Sequence, residues 1–432
     1  MAPEIKDLIK YYQDTIHKEY SLCNALDNNS AYHHRKMPHH VRRTIEKAIH
    51  NKWIDNIACT TTLLQGVNLP AQNIIIRSPH LYITKQKNTA ELSNYEMANL
   101  RGRAGRLLKD FIGRTFVLDE NSFIATEGYE QIGLFDDVTK ELSGDYGERF
   151  EKHKENIEEV VLSDTPVNNN MTGYADLVSY IRQSILRYND NAKQKMQNVG
   201  IHLSKEQVAA IILKLDQISV PKEVCYKNRY WDPFVLDIIY QKYEENVPAY
   251  PLERGAKAKL DRMLKFLRDT KETSSMYNKY IPNLLRSGSN RGLLCDLCML
   301  WAKETSLSDI IEKKRFTYRD TIADQIEDTI EILQDVVSYN VPLLLKPIFD
   351  IKNPNSSFLT SIQAGAYNKI SRMLIEIGIP RECALYLYEI LFKEYDCKNK
   401  SDEEIELDAR NILRTNMVNL PYWIKVQLEF LE

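Results

Sequence analysis

No stretch of 18 or more apolar residues occurs in this chain, so it offers no candidate for a transmembrane helix. No secretory leader is legible either, because the opening Met-Ala-Pro-Glu-Ile-Lys-Asp lacks an apolar core segment. Cysteine is sparse and odd in number, seven in 432 residues, with no disulfide-framework spacing; this favours a reducing, cytoplasmic setting. Neither an internal repeat nor a low-complexity tract is present. The chain has no G-x-x-x-x-G-K-[ST], hence no backbone cradle and lysine for the β- and γ-phosphates of a nucleotide. It also has no apolar strand ending in Asp-Glu-x-His; Asp402-Glu403-Glu404 reads as a helix cap and is a poor substitute. Charge of one sign is nearly lacking overall, at a net −3, but its distribution is uneven. Residues 1–120 hold 17 Lys and Arg against 12 Asp and Glu, and the remainder hold 40 against 48. A mildly basic front suits a polyanion partner without proving one.

What is present has two textures. The first 120 residues alternate short apolar runs with helical patterns, as an α/β unit does. Strands are predicted at 54–60, 73–77 and 115–119, and helices at 41–52 and 93–108. A further helix is read over 4–19. Ligand groups in such sheets sit at the carboxyl ends of strands, which is where Thr60 falls. After about residue 125 helical periodicity takes over. Apolar stripes run through Leu177, Ile181, Ile185 and Tyr188, through Leu260, Met263, Leu264 and Leu267, and through Ile322, Ile326, Ile330, Leu333 and Val337. The last stripe is backed by an acidic face of Asp324, Glu327, Asp328, Glu331 and Asp335. Ser204-Lys-Glu-Gln207 and Ser401-Asp-Glu-Glu404 read as capping boxes. Candidate linkers are 163–173 and 351–365. The fold class is therefore α/β, then mostly α.

Three blocks carry chemistry. Tyr32-His-His-Arg-Lys-Met-Pro-His-His-Val-Arg-Arg43 places a histidine pair, a proline and two arginines in order. Four histidines between His33 and His40 invite a metal reading, but no cysteine or carboxylate cluster completes a tetrahedral set. Arg42 suits a phosphate or, equally on spacing, an ion pair with Glu46 one turn on. The second block is Cys59-Thr-Thr-Thr-Leu-Leu-Gln-Gly-Val-Asn-Leu-Pro-Ala71. Its Thr60 hydroxyl at a strand end could meet a backbone phosphate. Gly66 allows close approach or positive φ. Asn68 offers a donor and an acceptor for a ribose or a partner side chain. The plain alternative is a polar strand-to-helix turn. The third block is Asn-Leu-Arg-Gly-Arg-Ala-Gly-Arg, Asn99 to Arg106. Each glycine inside a helical pattern costs about 1 kcal/mol relative to alanine. Small residues let arginines approach a phosphate, and arginine suits forked contacts. Leu100 and Arg101 read as ordinary surface positions.

Taken together, the blocks resemble the second half of a superfamily 2 helicase motor, in the DExH branch that holds the super-killer RNA helicases and archaeal repair helicases. That branch runs HHxxLPxxxR, TxxLxxGxNLPA, QxxGRAGR, and the likeness covers roughly residues 25 to 120. It implies a RecA-like second motor domain over 1–125, incomplete at its start, an acidic connector with a winged-helix-like domain over 126–250, a ratchet-like helical domain over 251–350, and a helical C-terminal domain over 351–432. It further implies that His33, His34, Arg42 and Thr60 lie against nucleic acid, DNA or RNA. Gly66, Asn68, Asn99 and Gly102 would line the nucleotide side. Arg103 and Arg106 would be arginine fingers toward ATP, which with Mg2+ is held mainly by a first motor domain not found in this chain. Asn99 stands where the family has glutamine, so its amide reaches less far.

The resemblance leads to an ATP-dependent helicase or translocase whose C-terminal portion is inactive by itself. A non-catalytic helicase-derived interaction or regulatory subunit is the rival reading, and a prokaryotic defence helicase a third. In the helical half, Lys257, Arg262, Lys265 and Arg268 offer phosphate contacts or a solvated face. Trp301 resembles a degenerate tryptophan-containing helix end of the ratchet. Cys295-Asp-Leu-Cys298 reads as two core thiols, and Ile377–Ala384 as a turn between packed helices rather than a helix-hairpin-helix.

Overall fold

The structure is a computed structural model and describes residues 2–60, 73–76, 80–83, 88–91, 114–118, 146–168, 170–315 and 319–431. It is mostly helical with few strands. The chain divides into two compact units, one of residues 1–130, 306–334 and 369–432, the other of 131–305 and 335–368.

In the first unit, α1 (Pro3–Thr15) opens on a proline, whose missing N–H costs nothing in a first turn. It buries Ile5, Leu8, Ile9 and Tyr12, a single stripe at helical spacing. Then come α2 (Ser21–Asp27), β1 (Ser30–His33), α3 (His39–His50) and β2 (Asn56–Cys59). β1 and β2 pair in parallel from Ser30↔Asn56 to His33↔Cys59, with α3 as the crossover that parallel pairing demands. Tyr12 Oη lies 2.6 Å from Thr44 Oγ1 and closes the seam between α1 and α3. Further along, β3 (Asn73–Ile76) pairs in parallel with β6 (Arg114–Val117), and β4 (His80–Ile83) with β5 (Asn88–Glu91) antiparallel. The expected helix over 93–108 lies outside the described residues.

Later segments return to this unit. Helices Leu307–Lys314, Ile322–Glu331, Lys369–Glu376, Arg381–Leu387, Asp402–Asn416 and Tyr422–Leu428 belong to it. The last four share a core that includes Ile370, Leu374, Leu387, Ile405, Leu413 and Leu428. The Ser401 capping box forms with Glu404. The element around 377–384 is a turn between packed helices, made at Gly378 with φ +102°, a conformation that favours glycine. α3 is tied to the final helix twice: Gln427 Nε2 donates to His40 O at 2.8 Å, and Arg43 Nη1 donates to Gln427 O at 3.0 Å.

The second unit is helical among the described residues. Helix Ala175–Tyr188 buries Leu177, Ile181 and Ile185 as its stripe predicts, but Tyr188 at the end of that stripe is exposed. The Ser204–Gln207 capping box is present. Leu260, Met263, Leu264 and Leu267 are all fully buried. Cys295 and Cys298 lie buried in helix Gly288–Ala302, where burial pushes the Cys295 thiol up to about 12. The stretch 351–365 is less of a linker than its asparagines and serines suggest. Helix Phe358–Ala364 occupies half of it, because Phe358 and Ile362 have a core to fill. A π-helical segment, Ile332–Asn340, precedes Val341–Lys352, and Pro342 stands just past it. Proline withholds the N–H that an α-turn would use there, so the hydrogen-bond ladder shifts.

Candidate nucleic-acid interface

β1 ends on His33 and β2 on Cys59, side by side. The Thr60 amide donates to His33 O at 3.3 Å, carrying the ladder one residue past the regular register. Thr60 itself is exposed. The carboxyl ends of parallel strands are where ligand-binding groups of α/β sheets gather. Here they bring His33, His34 and Thr60 to one edge, with α3 and its Arg42 leaving from the same edge.

His33 is buried, and its Nε2 lies 3.1 Å from Glu46 Oε1 on α3. His34 is half-buried and stacks on Tyr32, ring centroids 5.4 Å apart and 6° from parallel. Burial pushes the His34 imidazole below its ordinary range, and His33, Lys36 and Arg42 add to the effect. The shift favours the neutral imidazole, which presents hydrogen-bonding nitrogens rather than charge. Arg42 is half-buried; its Nε is shielded from solvent and has no hydrogen-bond partner. The ion pair with Glu46 that the i, i+4 spacing allows is not made, because Glu46 serves His33 instead. Among the described residues Arg42 has no carboxylate partner. A buried donor left unpaired carries a desolvation cost that an incoming anion would relieve.

Helix Ile322–Glu331 sets its acidic face against this block. Tyr32 Oη donates to Glu327 Oε1 at 3.0 Å and lies 2.6 Å from Ser21 Oγ. Lys36 Nζ stands 2.5 Å from Glu331 Oε2. Burial raises the Glu327 carboxyl above the usual carboxylate range, although the Tyr32 hydrogen bond and the Lys36 charge oppose the shift. A carboxyl raised on folding stabilises the fold below its unfolded pKa, and that contribution is lost as pH rises through the folded pKa. Glu327→Gln keeps an acceptor for Tyr32 and removes the charge. Its stability relative to the parent should therefore climb between about pH 4 and pH 7, as read by thermal melts; a flat or falling difference would contradict the assignment.

Of the sequence-derived site residues, the structure gathers His33, His34, Arg42 and Thr60. Gly66, Asn68, Asn99, Gly102, Arg103 and Arg106 lie outside the described residues. Among the described residues no group of three or more His, Cys, Asp or Glu side chains could hold a metal ion, and no helix is long and apolar enough to cross a membrane. The cations of helix Ala256–Asp269 are largely engaged: Lys257 pairs with Asp296, Arg262 with Glu245 and Arg268 with Asp269. Sequence reasoning offered Glu46 to Arg42 rather than to His33, gave Tyr32 no role of its own, and read Glu327 and Glu331 only as an acidic helix face with no tie to this site. Tyr32 was signalled only by its place beside the histidine pair, and the two helix carboxylates by no local feature.

No family model matches the chain. Curated relatives match about a quarter of it. The ATP-dependent DNA helicase Hel308 of Methanococcus vannielii is 34% identical over 101 residues, 23% of this chain and 13% of the relative. Activating signal cointegrator 1 complex subunit 3 of Dictyostelium discoideum is 33% identical over 107 residues, 23% of this chain and 5% of the relative. The human Helicase POLQ-like protein is 29% identical over 133 residues, 31% of this chain and 11% of the relative. The chain thus spans only a small part of the length of the relatives it matches. Over that part of its length, it is homologous to the C-terminal region of superfamily 2 DExH helicases of the super-killer-like branch.

Proposed function

We propose that the chain is the C-terminal portion of an ATP-dependent helicase or translocase, and that the β1–α3–β2 edge grips a nucleic-acid backbone. The observation that carries the reading is Arg42 Nε, buried without a hydrogen-bond partner among the described residues, near His34 and on the helix that follows the strand end where Thr60 meets His33. In this reading Arg42 meets a phosphate, Thr60 donates its hydroxyl to a neighbouring one, and neutral His34 hydrogen-bonds the sugar–phosphate chain. Glu46 holds His33 in place behind them. Gly66, Asn68, Asn99 and Gly102 line the nucleotide side, and Arg103 and Arg106 reach ATP held with Mg2+ by another motor domain, since this chain has no phosphate cradle of its own.

Arg42→Ala should weaken binding of single-stranded oligonucleotides irrespective of sequence, and lower the slope of log K against log salt by about 1. Titrations at several salt concentrations check this. An unchanged slope would remove Arg42 from the track. The rival reading, a helicase-derived module without catalysis, draws support from the carboxylates of helix Ile322–Glu331, which engage Tyr32 and Lys36 of the same block. ATP turnover in a protein that joins this chain to a nucleotide-binding domain separates the two.

A further inference from the structure

Helix Ile322–Glu331 carries four carboxylates, and they are not employed alike. Two serve near neighbours: Asp324 Oδ2 accepts from the capping hydroxyl of Thr321 at 2.7 Å, and Asp328 Oδ2 pairs with Arg319 at 2.8 Å. Glu327 and Glu331 reach the histidine block instead. Tyr32 Oη donates to Glu327 Oε1 at 3.0 Å, and Lys36 Nζ stands 2.5 Å from Glu331 Oε2. Glu327 and Glu331 are four positions apart, as are Tyr32 and Lys36, so the two contacts run in register, each joining residues 295 positions apart. Ile326, Thr329 and Ile330 are buried and seat the helix.

The register puts negative charge on the edge that carries Arg42. Glu331, Lys36 and Arg42 all act electrostatically on the His34 imidazole, so the four groups share one neighbourhood. Tyr32, which Glu327 engages, stacks on His34 with ring centroids 5.4 Å apart. One helical turn sets Glu327 and Glu331 about 6 Å apart along the axis, two negative groups in line as phosphates are in line on a strand. The Lys36–Glu331 pair is also easily exchanged. Lys36 is 55% exposed and Glu331 34%, and ion pairs open to water to this degree are weak.

We propose that Glu327 and Glu331 are an internal stand-in for phosphates, and that Lys36 is a further phosphate-binding residue of the β1–α3–β2 edge, held by Glu331 until a strand displaces it. A strand that meets Arg42 exchanges the carboxylate on Lys36 for a phosphate. The exchange is nearly even in charge, so Lys36 adds little net attraction while Glu331 is present. A single anion therefore gains little there, whereas a chain of phosphates engages Arg42 and Lys36 together. The inference rests on the reading of that edge as a nucleic-acid grip, and adds its regulation.

The test uses the full chain and fluorescein-labelled oligo(dT) and oligo(U) of about 15 nucleotides, with anisotropy titrations between about 50 mM and about 200 mM salt. Glu331→Gln keeps the size of the side chain and removes its charge, and thermal melts establish that it is folded. It should bind about twofold to fivefold tighter than the parent. The slope of log K against log salt should steepen by about 0.7, because Lys36 then meets a phosphate without giving up a carboxylate. Lys36→Ala should cancel both gains in the Glu331→Gln background while changing the parent little, a coupling that a double-mutant cycle reads. Glu331→Asp, which draws the charge back from Lys36, gives the same reading should Glu331→Gln unfold. Parental affinity and slope in folded Glu331→Gln, beside a loss in Arg42→Ala, would overturn the stand-in and leave the grip standing. A gain that survives Lys36→Ala would trace to the field of the helix at large and overturn the assignment of Lys36. No binding of either strand by the parent or by Glu331→Gln would overturn both this inference and the grip.

Discussion

Alanine at Arg103 or Arg106 is expected to lower ATP hydrolysis by about 10³-fold or more in a protein that unites this chain with a nucleotide-binding motor domain. The argument is electrostatic. A transferring phosphoryl group spreads negative charge over its oxygens, and a guanidinium placed there stabilises the transition state more than the ground state. Lysine at either position should recover little, because a point charge lacks the planar fork of donors. Binding of single strands should hardly change in these variants, since the edge of Arg42, His34 and Thr60 proposed to grip the strand is a separate set of groups. Steady-state phosphate release together with an oligonucleotide titration reads both quantities. Near-normal turnover in either alanine variant would end the arginine-finger assignment, and would favour the reading of the chain as a non-catalytic module.

The second large effect concerns stability. Arg182 and Asp232 are both fully buried in the second unit, with Nη1 2.8 Å from Oδ2. The guanidinium also donates to Thr165 O at 3.0 Å, to Ser163 O at 2.9 Å and to Val160 O, and it lies 4.6 Å from the Phe234 ring centroid. Asp232 Oδ2 accepts from Val167 N at 2.9 Å as well. One side chain thus holds the 160–167 segment against two helices. Arg182→Ala strands a buried carboxylate and several carbonyls, a loss of about 3–5 kcal/mol. For a unit of this size that is about 2–4 °C in melting temperature per kcal/mol. Asp232→Asn keeps a polar contact and should cost less. A loss below about 1 kcal/mol in Arg182→Ala would match an exposed pair and contradict the burial. Denaturant unfolding followed by circular dichroism measures the difference.

Much of the candidate site was legible in order and spacing. Thr60 could be placed at a strand end because a short apolar run stops there, and the strands expected at 54–60, 73–77 and 115–119 were located to within a few residues; the strand Ser30–His33 that carries His33 was not read. The capping boxes at Ser204 and Ser401 were legible because their hydrogen bonds join residues three apart. Partner choice was not. Glu46 is four residues from Arg42 and thirteen from His33, yet it serves His33, because the parallel pairing of β1 and β2 and the crossover of α3 bring that buried imidazole to it. Tyr188 continues an apolar stripe in sequence but is exposed at the helix end, under Lys195.

By itself, then, the sequence determined the helicase-like motif blocks, the change from α/β to helical texture and the want of a phosphate cradle, all properties of residue type and near spacing. Only the tertiary structure decided which charges are spent and which are left over. The acidic face of helix Ile322–Glu331 meets Tyr32 and Lys36 across about 295 positions, Arg42 Nε is left unpaired among the described residues, and four cations of the second unit rest on tyrosines. Those outcomes depend on which surfaces are desolvated together. Burial of that kind is set by the packing of distant segments, and no local period in the chain records it.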